Sequence, residues 1–311
     1  MSIERPSGIE SHERGRNVDV TLTIVRHTQK EMGHSVSEDG GIAMSPVSEG
    51  GRERARFFGK MLRAEGSDPK VIGTTYIPRS VETAEEILEG AQASDRKVRS
   101  YMDFGFRPEL YRGSPYFYEM YGQVSDKKRD EFMAEHHPGQ TFEELSTDEQ
   151  EQVMSVSDEA GVEWFLSHGD GPLRDGDPTV TARGSAALGA YQIQRFINLV
   201  DRMKSGSKEH YVAVSHQLIP EPLLLYILLE GEQEAIDEKE LDLVAKLRRL
   251  GGSLQILDNF DVSVTTDAEG KKNVHLRLRG NTYRIDLAKL AELAEAGREL
   301  IGRSEQKIDQ P

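Results

Sequence analysis

Arg26-His27-Thr28 follows the run Val20-Thr21-Leu22-Thr23-Ile24-Val25, so a guanidinium and an imidazole stand where a buried strand should surface. The carboxyl ends of strands are where α/β proteins gather their binding groups. Two further segments repeat the arrangement. Val71-Ile72-Gly73-Thr74-Thr75-Tyr76 reads as a strand, followed by Pro78-Arg79-Ser80 and a helix-like stretch from Val81 to Leu88. Tyr211-Val212-Ala213-Val214-Ser215 ends in His216, ahead of an apolar helix candidate from Glu221 to Leu229. A basic dipeptide alone carries little information. Three strands that each deliver a cationic or imidazole side chain predict one convergent anion site.

Length and patterning define the elements that must position these groups. With 311 residues the chain can bury a sizeable core and lies just above the ~250–300 residues at which single cores divide. One principal domain carrying an insertion is expected. The formal net charge of −15 argues against broad binding to nucleic acid or anionic lipid, while allowing a local basic pocket inside an acidic shell. There is no cysteine, which excludes disulfides, thiolate nucleophiles and cysteine-ligated zinc or iron–sulfur sites, and fits a cytoplasmic location. The first twenty residues lack the apolar core of a signal peptide. No stretch reaches the ~18 apolar residues of a membrane span, so a soluble protein is expected.

Along the chain, 1–17 reads as a flexible arm, 18–303 as the α/β domain and 304–311 as a flexible tail. His27 to Pro46 is loop-like; Ser48 is a candidate N-cap for a helix with Ala55, Phe58, Met61 and Leu62 on one face. The strand ending near Tyr76 and the helix from Ser80 to Ala91 complete a β-α-β-α pattern, which favours a parallel sheet. From about Tyr101 to Pro178 the pattern breaks into short helices and loops, read as an inserted cap over 101–178. A helix from Thr181 to Met203 leads into the strand ending at His216. A helical stretch from Leu241 to Leu250 stops at Gly251-Gly252. Two β-like runs, Leu254 to Thr266 and Asn273 to Leu278, are then joined by the turn Asp267-Ala268-Glu269-Gly270, ahead of a final amphipathic helix. The expected architecture is α/β: a three-layer sandwich with a mostly parallel central sheet, helices on both faces and an inserted cap.

The ordered set of motifs resembles the histidine phosphatase superfamily, the phosphoglycerate-mutase-like enzymes. Arg26-His27-Thr28 is similar to the family's Arg-His-Gly or Arg-His-Thr, whose His is transiently phosphorylated. Val47-Ser48-Glu49-Gly50-Gly51-Arg52-Glu53-Arg54-Ala55 resembles its first-helix entry, Leu-Thr-x-x-Gly-x-x-Gln-Ala. Thr75-Tyr76-Ile77-Pro78-Arg79-Ser80-Val81-Glu82-Thr83-Ala84 is similar to its Ser-x-x-x-Arg-x-x-x-Thr-Ala signature, which implies a second phosphate-binding arginine at Arg79. Val214-Ser215-His216 resembles the late Val-Ser-His that supplies a second imidazole. Arg107-Pro108-Glu109-Leu110-Tyr111-Arg112-Gly113 looks like the stretch that provides a proton donor, here Glu109, with Asp103 and Glu119 as nearby alternatives. The pattern covers roughly 18–92 and 180–262. Gln29-Lys30 replaces the family's common Glu-Thr, the mutases' downstream Asn is absent, and Gln217 stands where the acid-phosphatase branch has Asp.

The resemblance implies hydrolysis of a phosphate monoester through phosphorylated His27, without metal or organic cofactor, on a phosphorylated small molecule or a phosphoprotein. A mutase-type phosphotransferase and a phosphate-ligand or protein-binding module of low turnover are the rival readings. The chemistry suits the residue types. A phosphoryl group in flight spreads negative charge over three oxygens, and catalysis is largely positioning and electrostatics. Arg26 and Arg79 offer forked donors that stay charged, and His216 adds a third donor. His27 must present one unprotonated nitrogen while the other is held as N–H by a carbonyl or carboxylate. Glu109 would protonate the departing alkoxide and then take a proton from water. His136-His137, and His168 with Asp170, Asp175 and Asp177, have the spacing of neither a zinc pair nor a calcium loop.

Overall fold

The structure is a computed structural model that describes residues 14–29, 46–73, 77–93, 98, 114–229 and 242–308. β1 (Asp19–Arg26), α1 (Glu49–Ala64), β2 (Pro69–Gly73) and α2 (Pro78–Ala91) form the β-α-β-α start read from the sequence. Next come α3 (Pro115–His136), α4 (Thr147–Leu166) and α5 (Ala182–Leu199), then β3 (Lys208–Ser215), α6 (Pro220–Ile227) and β4 (Leu228–Leu229). The chain continues with α7 (Leu243–Arg249), β5 (Asn259–Thr266), β6 (Lys272–Leu278), β7 (Asn281–Ile285) and α8 (Leu287–Ile308). Among the described residues no helix is long and apolar enough to cross a membrane.

One sheet of seven strands has the order β2-β3-β1-β5-β6-β7-β4. Among the described residues only β2–β3 and β3–β1 pair in parallel; β1–β5, β5–β6, β6–β7 and β7–β4 are antiparallel. The fold is therefore α/β, but its sheet is mixed and not mostly parallel. The reason is local: Asp267–Gly270 is too short to cross over a sheet, so β5 and β6 must meet as a hairpin. β6 returns as β7 through Arg279-Gly280, both at positive φ, a strand the sequence reading missed. The apolar stretch from Glu221 to Leu229 also divides, its last two residues pairing with β7.

Alternation along β1 supplies both faces of the parallel end. Val20, Leu22 and Ile24 join the core built with α5, α6 and α8, whereas Val25 joins Val212 and Val214 beneath α1 and α2. Ser48 caps α1 by accepting from the Gly51 amide, and Thr181 caps α5 by accepting from Gly184. α3 and α4 are long, not the short pieces expected for that region. α3 buries just Phe117 and Ser125, and the face that α4 buries runs through Val153, Ser157, Gly161, Val162, Phe165 and Leu166, so its first half carries a weak apolar signal.

α1 and α2 cross at backbone contact: a β-carbon on Gly90 would lie 2.0 Å from the Arg56 carbonyl oxygen, and one on Gly59 would lie 2.1 Å from that of Ile87. Gly90→Ala must part the two helices, and should destabilise the fold by about 1–3 kcal/mol in urea titration. Gly122→Ala, where an added β-carbon meets nothing, should instead stabilise by roughly 0.8–1 kcal/mol. Equal effects at the two positions would contradict the packing described.

Candidate active site

The parallel register sets the two imidazoles side by side. Arg26 pairs with Ser215, and the His27 amide continues the ladder to the Ser215 carbonyl at 2.9 Å, so His27 and His216 leave adjacent strands at one level. Their ring centroids are 5.0 Å apart, edge to face at 61°. Arg79 arrives from the first turn of α2, and its Nε donates to His27 Nε2 at 3.1 Å. The structure thus brings Arg26, His27, Arg79 and His216 together at the carboxyl ends of the parallel strands.

Small hydroxyl residues fix this junction. Thr83 Oγ1 donates to the Arg79 carbonyl at 2.6 Å and accepts from the Thr28 amide at 3.2 Å, tying the end of β1 to the first turn of α2. Fully buried Thr28 donates its hydroxyl to the Gly51 carbonyl at 3.1 Å. Gly51 has no room for a side chain there: a β-carbon would lie 2.7 Å from the Gln29 carbonyl oxygen. The next chain entry is held from α2 as well, since the Val47 amide donates to Glu82 at 2.9 Å while Arg52 bridges Glu82 and Glu86.

His27 Nδ1 lies 2.7 Å from the carbonyl oxygen of Thr28. A carbonyl only accepts, so Nδ1 carries the proton and Nε2, facing the Arg79 donor, carries the lone pair. Burial, then His216 and the two guanidiniums, hold the His27 pKa well below 6.5. Burial, then Arg79 and Arg26, do the same for His216, whose Nε2 lies 2.9 Å from the Ser80 hydroxyl. Burial and the nearby Arg26 pull Arg79 down to about 10, which leaves it charged at neutral pH.

Arg26 is only 5% exposed. One terminal nitrogen donates to the Leu254 carbonyl at 2.8 Å and the other is ion-paired with Asp158 of α4. Burial alone would lower the Arg26 pKa; the Asp158 carboxylate and, further off, Glu221 outweigh it and raise it. Glu221 is itself buried and accepts from the amides of Leu218 at 2.9 Å and Leu254 at 3.3 Å.

Sequence reasoning missed Ser80, Asp158 and the Thr28–Thr83 contact. Ser80 and Thr83 stand inside the quoted Arg79 motif and were within reach of it; Asp158 sits in a helix with no local signal. Glu109 and Asp103 lie outside the described residues. Glu119, the third candidate acid, is exposed on α3 and accepts from Gln123 at 3.2 Å. Among the described residues no three His, Asp or Glu side chains cluster as a metal site would require.

Solved structures similar to this chain include mycobacterial hydrolase 2, at 16% identity and a TM-score of 0.45 over 89% of this chain and 97% of the other. A mycobacterial glucosyl-3-phosphoglycerate phosphatase matches at 17% identity and a TM-score of 0.43, over 83% and 97% of the two chains. A protein histidine phosphatase complexed with tungstate matches at 13% identity and a TM-score of 0.33, over 82% and 93%. No protein-family model matches the chain, and no curated protein sequence does.

Depressed imidazole pKa values have a sign in folding. Below about pH 6.5 the unfolded chain takes up protons on His27 and His216 that the folded chain refuses, so stability is full above that pH and is lost as pH falls beneath it. Urea unfolding between pH 7.5 and 5.5 should show a loss approaching about 1.4 kcal/mol per pH unit per imidazole, and His216→Ala should remove its share. Stability that stays flat over this range would contradict neutral buried rings.

Proposed function

We propose that the chain is a phosphatase of the histidine phosphatase superfamily that hydrolyses a phosphate monoester through a phosphohistidine at His27. The observation that carries this reading is the orientation of the His27 ring, with Nδ1 on a carbonyl and Nε2 turned toward Arg79. An imidazole so held is neutral at physiological pH and directs its lone pair into a cluster of cations, where an oxyanion would be drawn.

Arg79 Nε donates into that lone pair at 3.1 Å. A charged phosphoryl oxygen is a stronger acceptor than a neutral imidazole, so substrate binding transfers the Arg79 N–H to oxygen and frees Nε2. Nε2 then forms the bond to phosphorus as the ester P–O bond breaks and the electron pair leaves with the alkoxide. The alkoxide takes a proton from an acid, for which Glu109 is the proposed group. Water, deprotonated by the resulting carboxylate, next attacks phosphorus and returns neutral His27 and inorganic phosphate. Arg26, Arg79 and His216 hold the equatorial oxygens throughout. The substrate reading is a phosphorylated small molecule, with a phosphoprotein as the variant, in a cytoplasmic setting.

Purified protein in excess chelator should release phosphate from an aryl phosphate. His27→Ala should lower kcat/KM by at least about 10³-fold with the urea midpoint near that of the parent. Arg79→Lys, which loses the Nε donor and the fork, should lower it by at least about tenfold. Undiminished turnover in His27→Ala would refute the nucleophile. Phosphate binding without turnover in the parent would favour a binding module, and phosphoryl transfer between phosphoglycerates faster than hydrolysis would favour a mutase.

A further inference from the structure

We propose that Asp158 is a positioning residue for Arg26, and that through it the α3–α4 pair sets how firmly the site holds a tetrahedral oxyanion. The proposal rests on the phosphate-site reading above, because it assigns Arg26 to the oxyanion.

The guanidinium of Arg26 is planar and carries five N–H groups, none of which it can give up. Two of its directions are anchored, one on the Leu254 carbonyl and one on the Asp158 carboxylate. Two anchors fix a plane; one leaves a pivot. Among the described residues the buried Nε has no hydrogen-bond partner, so the Nε edge is the part of the fork the anchors leave for a ligand. Its direction is set by Asp158.

Asp158 is the α4 residue ion-paired with Arg26, and its own placement depends on α3. Gly161, one turn further along α4, has no side chain, and a β-carbon there would lie 2.4 Å from the Tyr121 ring. Tyr121 therefore lies directly on α4. Its hydroxyl donates to Gln217 Oε1 at 3.1 Å, and Gln217 Nε2 donates to the Asp158 carbonyl at 3.4 Å. One turn along α3, the Ser125 carbonyl accepts from the Ser157 hydroxyl at 3.0 Å. Asp158 is thus held from α3, from the residue after His216 and from Arg26 itself. Gln217 stands next to a catalytic candidate and cannot serve as a general acid, so its contact with Tyr121 and Asp158 accounts for an amide at that position.

The test is a double-mutant cycle on the whole chain, read both as kcat/KM for an aryl phosphate and as the Kd of inorganic phosphate by calorimetry. Misplacing a guanidinium by about an ångström should cost on the order of 10²-fold in kcat/KM for Asp158→Ala, with phosphate bound at least about tenfold more weakly. Asp158→Glu, which restores a carboxylate, should recover most of both. In an Arg26→Ala background, Asp158→Ala should cost less than about twofold, because the group it orients is gone. Equal losses in both backgrounds, or no loss in the parent, would overturn the proposal.

Tyr121→Phe keeps the ring against Gly161 and tests the same chain of contacts if Arg26→Ala does not fold. It should weaken phosphate binding by about threefold in the parent and add nothing to Asp158→Ala. Additive effects would overturn the link to α3. Should the parent bind phosphate without hydrolysing aryl phosphate, the hydrolytic reading fails while the phosphate Kd values still decide the role of Asp158. A parent that does neither removes the oxyanion site and this proposal with it.

Discussion

Burial of ionisable groups, reinforced by repulsion among like charges, is the constraint around which this end of the molecule is built. Two guanidiniums and two imidazoles meet at the tips of neighbouring strands, all largely out of water. Four positive charges could not be held there. Burial and then the arginine charges, which the guanidiniums do not give up, leave the imidazoles neutral. Asp158 neutralises the deeper arginine, and Arg79 remains charged with a lowered pKa. The outcome is a cationic pocket beside an unprotonated ring nitrogen, a combination suited to attack on a phosphoryl group.

Main-chain geometry fixes what electrostatics permits. The β1–β3 register puts the imidazoles at one height, and the Thr28 carbonyl selects the His27 tautomer. Thr83 spans from the Arg79 carbonyl to the Thr28 amide, which gives a physical reason for a threonine four residues after the arginine. The same first turn of α2 presents Ser80 to His216 and Arg79 to His27. Close packing of α1 on α2 at Gly59 and Gly90 holds the opposite end of α2 against α1.

The parts legible in the sequence were those with a local signature. His27 and His216 end apolar β-branched runs, Arg79 opens a helix after another, and the Ser48 and Thr181 caps precede periodic stretches. The antiparallel half of the sheet was misjudged, although the turn at Asp267–Gly270 was recognised, because an opening β-α-β-α pattern was extended to strands that have no intervening helix. α3 was unreadable because it buries just Phe117 and Ser125, and α4 because its buried face runs through Ser157 and Gly161. Asp158 and Tyr121 were missed for another reason: their partners lie far away in sequence, and nothing in a helix with several acidic residues marks one carboxylate among many. Glu109, assigned on resemblance alone, lies outside the described residues.

The claim on which the rest depends is that His27 Nε2 takes the phosphoryl group. Rapid alkaline quenching during turnover of a phosphate monoester, followed by ³¹P–¹⁵N coupling measurements on protein labelled with ¹⁵N-histidine, reads the modified atom directly. The account predicts an acid-labile phosphoramidate on Nε2 of His27, formed and consumed at rates compatible with kcat. A phosphoryl group on Nδ1 or on another residue, or turnover with no phosphoenzyme, would contradict it.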